Sequence, residues 1–270
     1  MSTSGMIMKK VLAVVNAIVL ILLIAWNYYS NTGAINGETV GSLSDRYSSL
    51  FVPADYAFAI WGLIYFGLVL SAGYFLFLAF GDRKHSECVS QASPGLIIAN
   101  MANGAWLWFW LHEQILISVF MLFLVLVALI ATILRLNMEK WDAPVKYMAL
   151  VWWPVDLYIG WISVASIANL AAYLNAIEFS PFFSAKVWTV LLISFVVLLN
   201  LFMIFSRNMR EFAAVGIWAL VAIAVRHWME IPLIGTSAAA GAILIAVLSA
   251  YHANRNQEFL PHKKIKRGEV

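Results

Sequence analysis

Residues 114–136 read QILISVFMLFLVLVALIATILRL, an apolar run whose one charged residue is Arg135. A membrane-spanning helix needs about 20 apolar residues, because the hydrocarbon core is roughly 30 Å thick and a helix rises about 1.5 Å per residue. Inside lipid the backbone must form its hydrogen bonds within the segment, and an unalternating run of this length does not suit a barrel strand. The run therefore predicts a transmembrane helix.

Further apolar stretches on both sides of this run predict an all-α, polytopic membrane protein of about eight transmembrane helices. The predicted spans are residues 9–29, 53–80, 94–111, 114–136, 144–175, 187–206, 211–230 and 233–252. The third and fourth spans are separated only around His112 and Glu113. A single helix from Gly95 to Leu134 would be about 60 Å long, twice the bilayer core, so we predict a turn at His112 and Glu113.

The composition excludes other classes of protein. Of the 270 residues 63% are hydrophobic and 11% are charged, whereas soluble domains carry about a quarter charged residues and disordered segments are far less apolar. The single cysteine, Cys88, excludes an internal disulfide. The first span follows Lys9 and Lys10 and could be a cleaved signal peptide, but its length and its Trp26 favour a retained anchor.

The basic residues predict the orientation in the membrane, since Lys and Arg remain preferentially in cytoplasmic connections. Eight helices divide the 17 basic residues into two alternating sets, and one set holds only Arg46, Lys186 and Arg226. The other set, which includes Arg83 and a basic tail from Lys263 to Arg267, predicts that both termini are cytoplasmic. This distribution is an orientation signal, and it indicates no nucleic-acid-binding patch.

Three local patterns occur in order along the second, third and fifth predicted helices. They are Tyr56-Ala-Phe58 followed by Trp61 and Tyr65, then Asn103-Gly-Ala-Trp106-Leu-Trp-Phe109, then Tyr158-Ile-Gly-Trp161 followed by Asn169. Together they resemble the translocator protein family, also called the tryptophan-rich sensory proteins. The resemblance implies a five-helix bundle at residues 1–175, to which this chain adds three helices at 176–252 and a basic cytoplasmic tail at 253–270. It also implies a bacterial inner membrane protein.

The same resemblance implies a porphyrin or sterol-like ligand, and the sequence indicates no other cofactor. Converging indole rings can sandwich a planar polycycle while their N–H groups orient it, although Trp and Tyr also collect at bilayer interfaces without a ligand. Asn103 and Asn169 should face the bundle interior, either as helix-to-helix contacts or as ligand contacts. The candidate ligand-binding residues are Tyr56, Trp61, Tyr65, Asn103, Trp106, Phe109, Tyr158, Trp161 and Asn169.

Two ionisable residues lie well inside the predicted spans, Asp156 in the fifth and Arg226 in the seventh. Charges at such depth are costly, so we predict that the two form an intramembrane ion pair. The scattered histidines have no metal-ligand spacing, and no catalytic motif is present, so the sequence predicts neither a metal site nor catalytic residues.

Three hypotheses of function follow. The first is a membrane protein that binds a hydrophobic planar molecule as a sensor, carrier or regulator; the alternative is a proton-coupled transporter of a small metabolite that uses Asp156. An enzyme that degrades bound porphyrin is the third. Small residues at Gly235 and Ala239, and at Ser237 and Gly241, predict a close helix approach, within the chain or across a homodimer.

Overall fold

The apolar stretches of the sequence are helices in the computed structural model, which describes residues 3–47, 49–81, 84–179, 182–257 and 260–268. Arg83, counted above among the basic residues, lies outside these ranges. A 3₁₀ turn at Asp55–Ala59 leads into α3, and a π-helical turn at Met148–Trp152 joins α6 to α7. The helices are α1 (Thr3–Ser30), α2 (Val40–Arg46), α3 (Ile60–Phe80), α4 (Glu87–Leu111), α5 (Ile115–Arg135), α6 (Val145–Tyr147), α7 (Trp153–Ala176), α8 (Ala185–Arg207), α9 (Arg210–His227), α10 (Pro232–Arg255) and α11 (Pro261–Lys266).

Each of the eight predicted spans is helical, which confirms a polytopic helical membrane protein. By length and composition, six helical segments in the described part of the chain are apolar enough to cross a membrane. These are Ser4–Ser30, Asp55–Phe80, Ile115–Arg135, Val145–Ala176, Ala185–Arg207 and Pro232–Arg255. The remaining two predicted spans are the more polar α4, which contains Asn100 and Asn103, and α9, which carries Arg210, Glu211 and Arg226.

The predicted turn between the third and fourth spans is present. Helix α4 ends at Leu111 and α5 begins at Ile115. Glu113 adopts a left-handed backbone conformation with a φ of 56°, and its N–H donates to the carbonyl oxygen of Trp110 at 2.9 Å. The N–H of Gln114 donates to the carbonyl oxygen of Phe109, also at 2.9 Å, so the last carbonyls of α4 are satisfied as the chain reverses.

The chain forms two compact units whose bounds differ from those predicted. One unit comprises Met1–Leu43 and Gly62–Met138, and the other comprises Ser44–Trp61 and Glu139–Val270. These units are defined by contacts within the chain and do not test the predicted division into a five-helix part at 1–175 and three added helices at 176–252, which stays a prediction.

In the first unit, α4 packs against both α1 and α5. The α5 contact is close because Gly95 has no side chain, and a Cβ there would lie 2.1 Å from Oγ1 of Thr132. Against α1, the indole N–H of Trp26 donates to the carbonyl oxygen of Gly104 at 3.0 Å. The ammonium group of Lys9 lies 2.6 Å from the carboxylate of Glu87, at the start of α4. These contacts anchor both ends of α1 to one helix.

In the second unit, α9 packs against α7, α8 and α10. Gly160 on α7 permits one close approach, since a Cβ there would lie 3.2 Å from the carbonyl oxygen of Phe212 on α9. Gly241 permits another, since its Cβ would lie 2.8 Å from Cγ2 of Val197 on α8. The close approach predicted from the small residues of the last span is thus made within the chain.

The predicted basic tail at 253–270 contains structure that the sequence analysis missed. Helix α10 extends to Arg255, and α11 contacts α6. Lys264 on α11 is fully buried, and its ammonium group donates to the carboxylate of Asp142 and to the carbonyl oxygen of Ala143. An ammonium group withdrawn from water needs such partners, so this lysine fixes α11 against the connection between α5 and α6.

We expect Gly95→Ala to destabilise the protein, because the added Cβ would overlap Thr132 and the carbonyl oxygen of Ala128. Overpacking of this kind typically costs about 1–3 kcal/mol. Gly73→Ala is the matched control, since its Cβ would meet nothing within 4 Å, and it should be neutral or stabilising. Melting temperatures measured in one detergent check both variants, and equal values for the two would contradict the close packing described here.

Candidate functional site

An aromatic cluster in the second unit contains three of the predicted ligand-binding residues. Tyr158 and Trp161 lie three residues apart on α7 and therefore share one face of the helix. The ring of Trp61 meets Tyr158 edge-on with centroids 6.0 Å apart, and Phe58 meets Trp161 in the same way at 5.9 Å. Tyr158 is fully buried and Trp161 is 2% exposed. We call Phe58, Trp61, Tyr158 and Trp161 the aromatic cluster.

Helix α9 holds the segment that carries Phe58 and Trp61. The N–H of Ala54 donates to the carbonyl oxygen of Ala222 at 3.2 Å. The indole N–H of Trp218 donates to the carbonyl oxygen of Ala57 at 3.1 Å, and the guanidinium of Arg226 donates to that of Pro53 at 3.2 Å. Three polar contacts along one helix therefore fix the backbone from which the aromatic side chains project.

Tyr56 is the predicted ligand-binding residue on this segment that is not buried. Its ring is 42% exposed and meets the ring of Trp218 edge-on at 5.4 Å. Tyr56 therefore lies beside the polar contacts with α9 and not within the aromatic cluster.

The predicted residues on α4 belong to the first unit. Asn103 is fully buried and Trp106 is 6% exposed. Trp106 stacks on Trp110 at 6.4 Å, and the indole N–H of Trp110 donates to the carbonyl oxygen of Val40 at 3.3 Å. Phe109 is partly buried, while Tyr65 on α3 is 9% exposed. The candidate residues are thus distributed between the two units.

Both asparagines face the interior, as predicted from the cost of exposing an amide to lipid. Asn103 is fully buried and Asn169 is 5% exposed. Asn169 is eight residues beyond Trp161 on α7, which places it about 12 Å further along the helix. It therefore lies outside the aromatic cluster.

The predicted ion pair between Asp156 and Arg226 is wrong. Arg226 lies in the last turn of α9, where its guanidinium is 2.9 Å from the carboxylate of Asp45 and 4.0 Å from that of Asp55. Asp156 lies instead near Glu211, in the first turn of α9. Fifteen residues of helix separate Glu211 from Arg226, a length of about 22 Å, so Arg226 cannot reach Asp156.

A carboxylate cluster that the sequence analysis did not predict surrounds Asp156. One carboxylate oxygen from each of Glu139, Asp156 and Glu211 lies within 4.8 Å of the others. Asp156 is fully buried, and neither of its carboxylate oxygens has a hydrogen-bond partner among the described residues. Glu139 follows α5 and accepts a hydrogen bond from the side-chain amide of Asn208 at 3.1 Å.

The electrostatics of Glu139 reflect this crowding. Burial raises its pKa to about 8, and the carboxylate of Glu211 adds to the increase, while Asn208, Arg210 and Lys264 oppose it. The available signal in the sequence was that Glu139 and Glu211 both lie at helix ends on the side of the membrane where α7 begins. Their separation along the chain hides the cluster from any local motif.

An apolar groove of about 450 Å³ lies between α9 and α10. Trp228 and Ile243 are among the residues that line it, and none of the predicted ligand-binding residues does. The groove is therefore distinct from the aromatic cluster.

A family model described as "TSPO-like protein" matches residues 13–251. The chain belongs to the TSPO-like protein family. No curated protein and no solved structure shows significant similarity to it. This TSPO-like protein is thus an integral membrane protein of TspO type, and its family match extends through α8 and α9 and as far as residue 251 in α10. The three helices predicted at 176–252 therefore lie almost entirely inside the matched region.

We expect Trp218→Phe to lower the free energy of unfolding by about 1 kcal/mol more than a matched substitution, because it removes the hydrogen bond to Ala57. Trp188→Phe is the control: Trp188 is 37% exposed, and its indole N–H donates to none of the described residues. Denaturation of each variant in mixed detergent micelles measures the difference. Equal losses would show that the hydrogen bond to Ala57 contributes nothing.

Proposed function

We propose that this TSPO-like protein binds a hydrophobic planar molecule of the porphyrin or sterol-like class and acts as its sensor, carrier or regulator. The observation that carries the proposal is the aromatic cluster, in which Trp61 and Trp161 are buried against Tyr158 and Phe58 within membrane-spanning helices. Indole and phenol rings can stack on a flat aromatic guest or meet it edge-on, and these are the contacts that porphyrin recognition uses.

Two further observations support the proposal. Trp106, the third tryptophan predicted to contact ligand, is also buried, so it does not belong to an aromatic belt at the bilayer surface. Asn103 lies three residues before it on α4 and is fully buried, as expected for a helix-to-helix contact or a ligand contact. Family membership over residues 13–251 favours the same ligand class.

Titration of the detergent-purified protein with protoporphyrin tests the proposal, with the shift of the porphyrin Soret band as the signal. We expect saturable binding, and a Kd that rises about three- to tenfold in Trp61→Phe and in Trp161→Phe, since an aromatic contact contributes about 0.5–1.5 kcal/mol beyond its buried area. Trp188→Phe, a substitution on an exposed face of α8, should leave Kd unchanged.

Two results would refute the binding proposal. One is the absence of a saturable Soret shift in the wild-type protein. The other is a Kd for protoporphyrin that is the same in Trp61→Phe, in Trp161→Phe and in the control Trp188→Phe.

We also propose that the protein lies in a bacterial inner membrane with both termini in the cytoplasm. The distribution of Lys and Arg supports this orientation. The second unit is compatible with it, because Asp156 near the start of α7 and Glu211 near the start of α9 approach each other, as expected for helices that enter from the same side.

Cysteine labelling checks the orientation. In a Cys88→Ser background, a membrane-impermeant maleimide should label Glu178→Cys in intact cells, because the exposed Glu178 follows the end of α7. Gln257→Cys, in the exposed connection after α10, should react only after lysis. The reverse pattern would place the termini outside.

A further inference from the structure

The carboxylate cluster of Glu139, Asp156 and Glu211 brings three carboxylate oxygens within 4.8 Å of one another. Arg210 and Lys264 lower the pKa of Glu139 by electrostatic attraction, but Lys264 binds Asp142 and Ala143, and Lys140 donates to the carbonyl oxygen of Ser206. Among the described residues, no Lys or Arg forms an ion pair with any of the three carboxylates. Three carboxylates this close repel one another strongly unless they take up protons or a cation joins them.

Asp156 is the strongest indication that a ligand belongs here. It is fully buried, and both of its carboxylate oxygens lack a hydrogen-bond donor in the described part of the chain. A buried carboxylate normally accepts several hydrogen bonds or coordinates a metal, since its desolvation is otherwise uncompensated. One of these oxygens lies within 4.8 Å of oxygens from Glu139 and Glu211, so the unpartnered group points into the cluster.

A further oxygen adjoins the cluster. The side-chain amide nitrogen of Asn208 donates to Glu139, and the amide oxygen of the same group is buried without a hydrogen-bond partner among the described residues. Asn208 closes α8 in a left-handed conformation with a φ of 60°, so the turn between α8 and α9 places this amide beside Glu139. The carboxylate and amide oxygens are all hard donors.

We propose that Glu139, Asp156 and Glu211 bind a hard divalent cation of the Mg²⁺, Mn²⁺ or Ca²⁺ class, with Asn208 positioning Glu139. Such cations prefer carboxylate and amide oxygens at about 2.0–2.6 Å, so oxygens on opposite sides of the ion lie about 4–5 Å apart. The 4.8 Å spread of the three carboxylate oxygens agrees with that spacing. The ligands come from the α5–α6 connection, α7 and α9, so a bound ion would join these three parts of the second unit.

The site is separate from the aromatic cluster and does not depend on porphyrin binding. Asp156 lies two residues before Tyr158 on α7, which directs the two side chains to nearly opposite faces of the helix. Loss of porphyrin binding in Trp161→Phe would therefore leave cation binding intact, and the two proposals can fail independently.

Mn²⁺ binding to the full-length protein tests the cation site. The detergent-purified protein is stripped with a chelator and titrated with Mn²⁺, and the six-line electron paramagnetic resonance signal of the free ion measures binding. We expect one saturable site per chain, with Mg²⁺ or Ca²⁺ competing for it. Asp156→Asn should raise Kd by at least about tenfold, because it removes one anionic ligand while conserving shape.

Three further variants complete the experiment. Glu139→Gln should weaken binding as Asp156→Asn does, and Asn208→Gly should weaken it while keeping the left-handed backbone that glycine readily adopts. Glu230→Gln, at an exposed carboxylate just beyond α9, is the control and should bind as the wild type does. When a chelator has removed the metal, the melting temperature of Asp156→Asn should be no lower than that of the wild type, since the substitution removes an uncompensated buried charge.

Two outcomes would overturn the cation site. One is the absence of saturable Mn²⁺ binding to the wild-type protein below about 1 mM, a range that includes most protein sites for such cations. The other is Mn²⁺ binding that remains equal in Asp156→Asn, Glu139→Gln and the wild type, which would place the ion elsewhere.

Discussion

The cost of removing a charge from water determines where the ionisable groups of this TSPO-like protein lie. An isolated buried ion is destabilised by several kcal/mol, so it must be paired or neutralised. The buried ammonium groups follow this rule: Lys9 reaches Glu87 at the start of α4, and Lys264 reaches Asp142. Asp156 differs from them, because both of its oxygens are buried without a donor among the described residues. That exception makes the carboxylate cluster the most informative polar feature of the second unit.

The helices could be predicted from the sequence because the bilayer imposes a length that is visible in a single apolar run. The turn between α4 and α5 followed from the same arithmetic, since one helix could not be twice the thickness of the membrane. The burial of Asn103 and Asn169 followed from the cost of placing an amide in lipid. Each of these predictions needed only local sequence and one property of the solvent.

The partners of the charged residues could not be predicted in this way. Arg226 was expected deep inside a span, but α9 ends at His227 and places it near Asp45, more than 180 residues earlier in the chain. Glu139 and Glu211 were overlooked because each lies at a helix end, where an acidic residue is ordinary. Close contacts such as that of Gly160 with Phe212 determine which helix ends lie next to each other. No local sequence pattern predicts these contacts.

The π-helical turn at Met148–Trp152 precedes α7 and affects the direction of both its acidic and its aromatic side chains. A π turn accommodates one more residue than an α turn, and one residue corresponds to about 100° of rotation around the axis. Asp156, Tyr158 and Trp161 all lie beyond this turn on α7. Deleting a single residue here would rotate all three side chains together around the axis of α7. The direction of the acidic face and that of the aromatic face are therefore set together by this one turn.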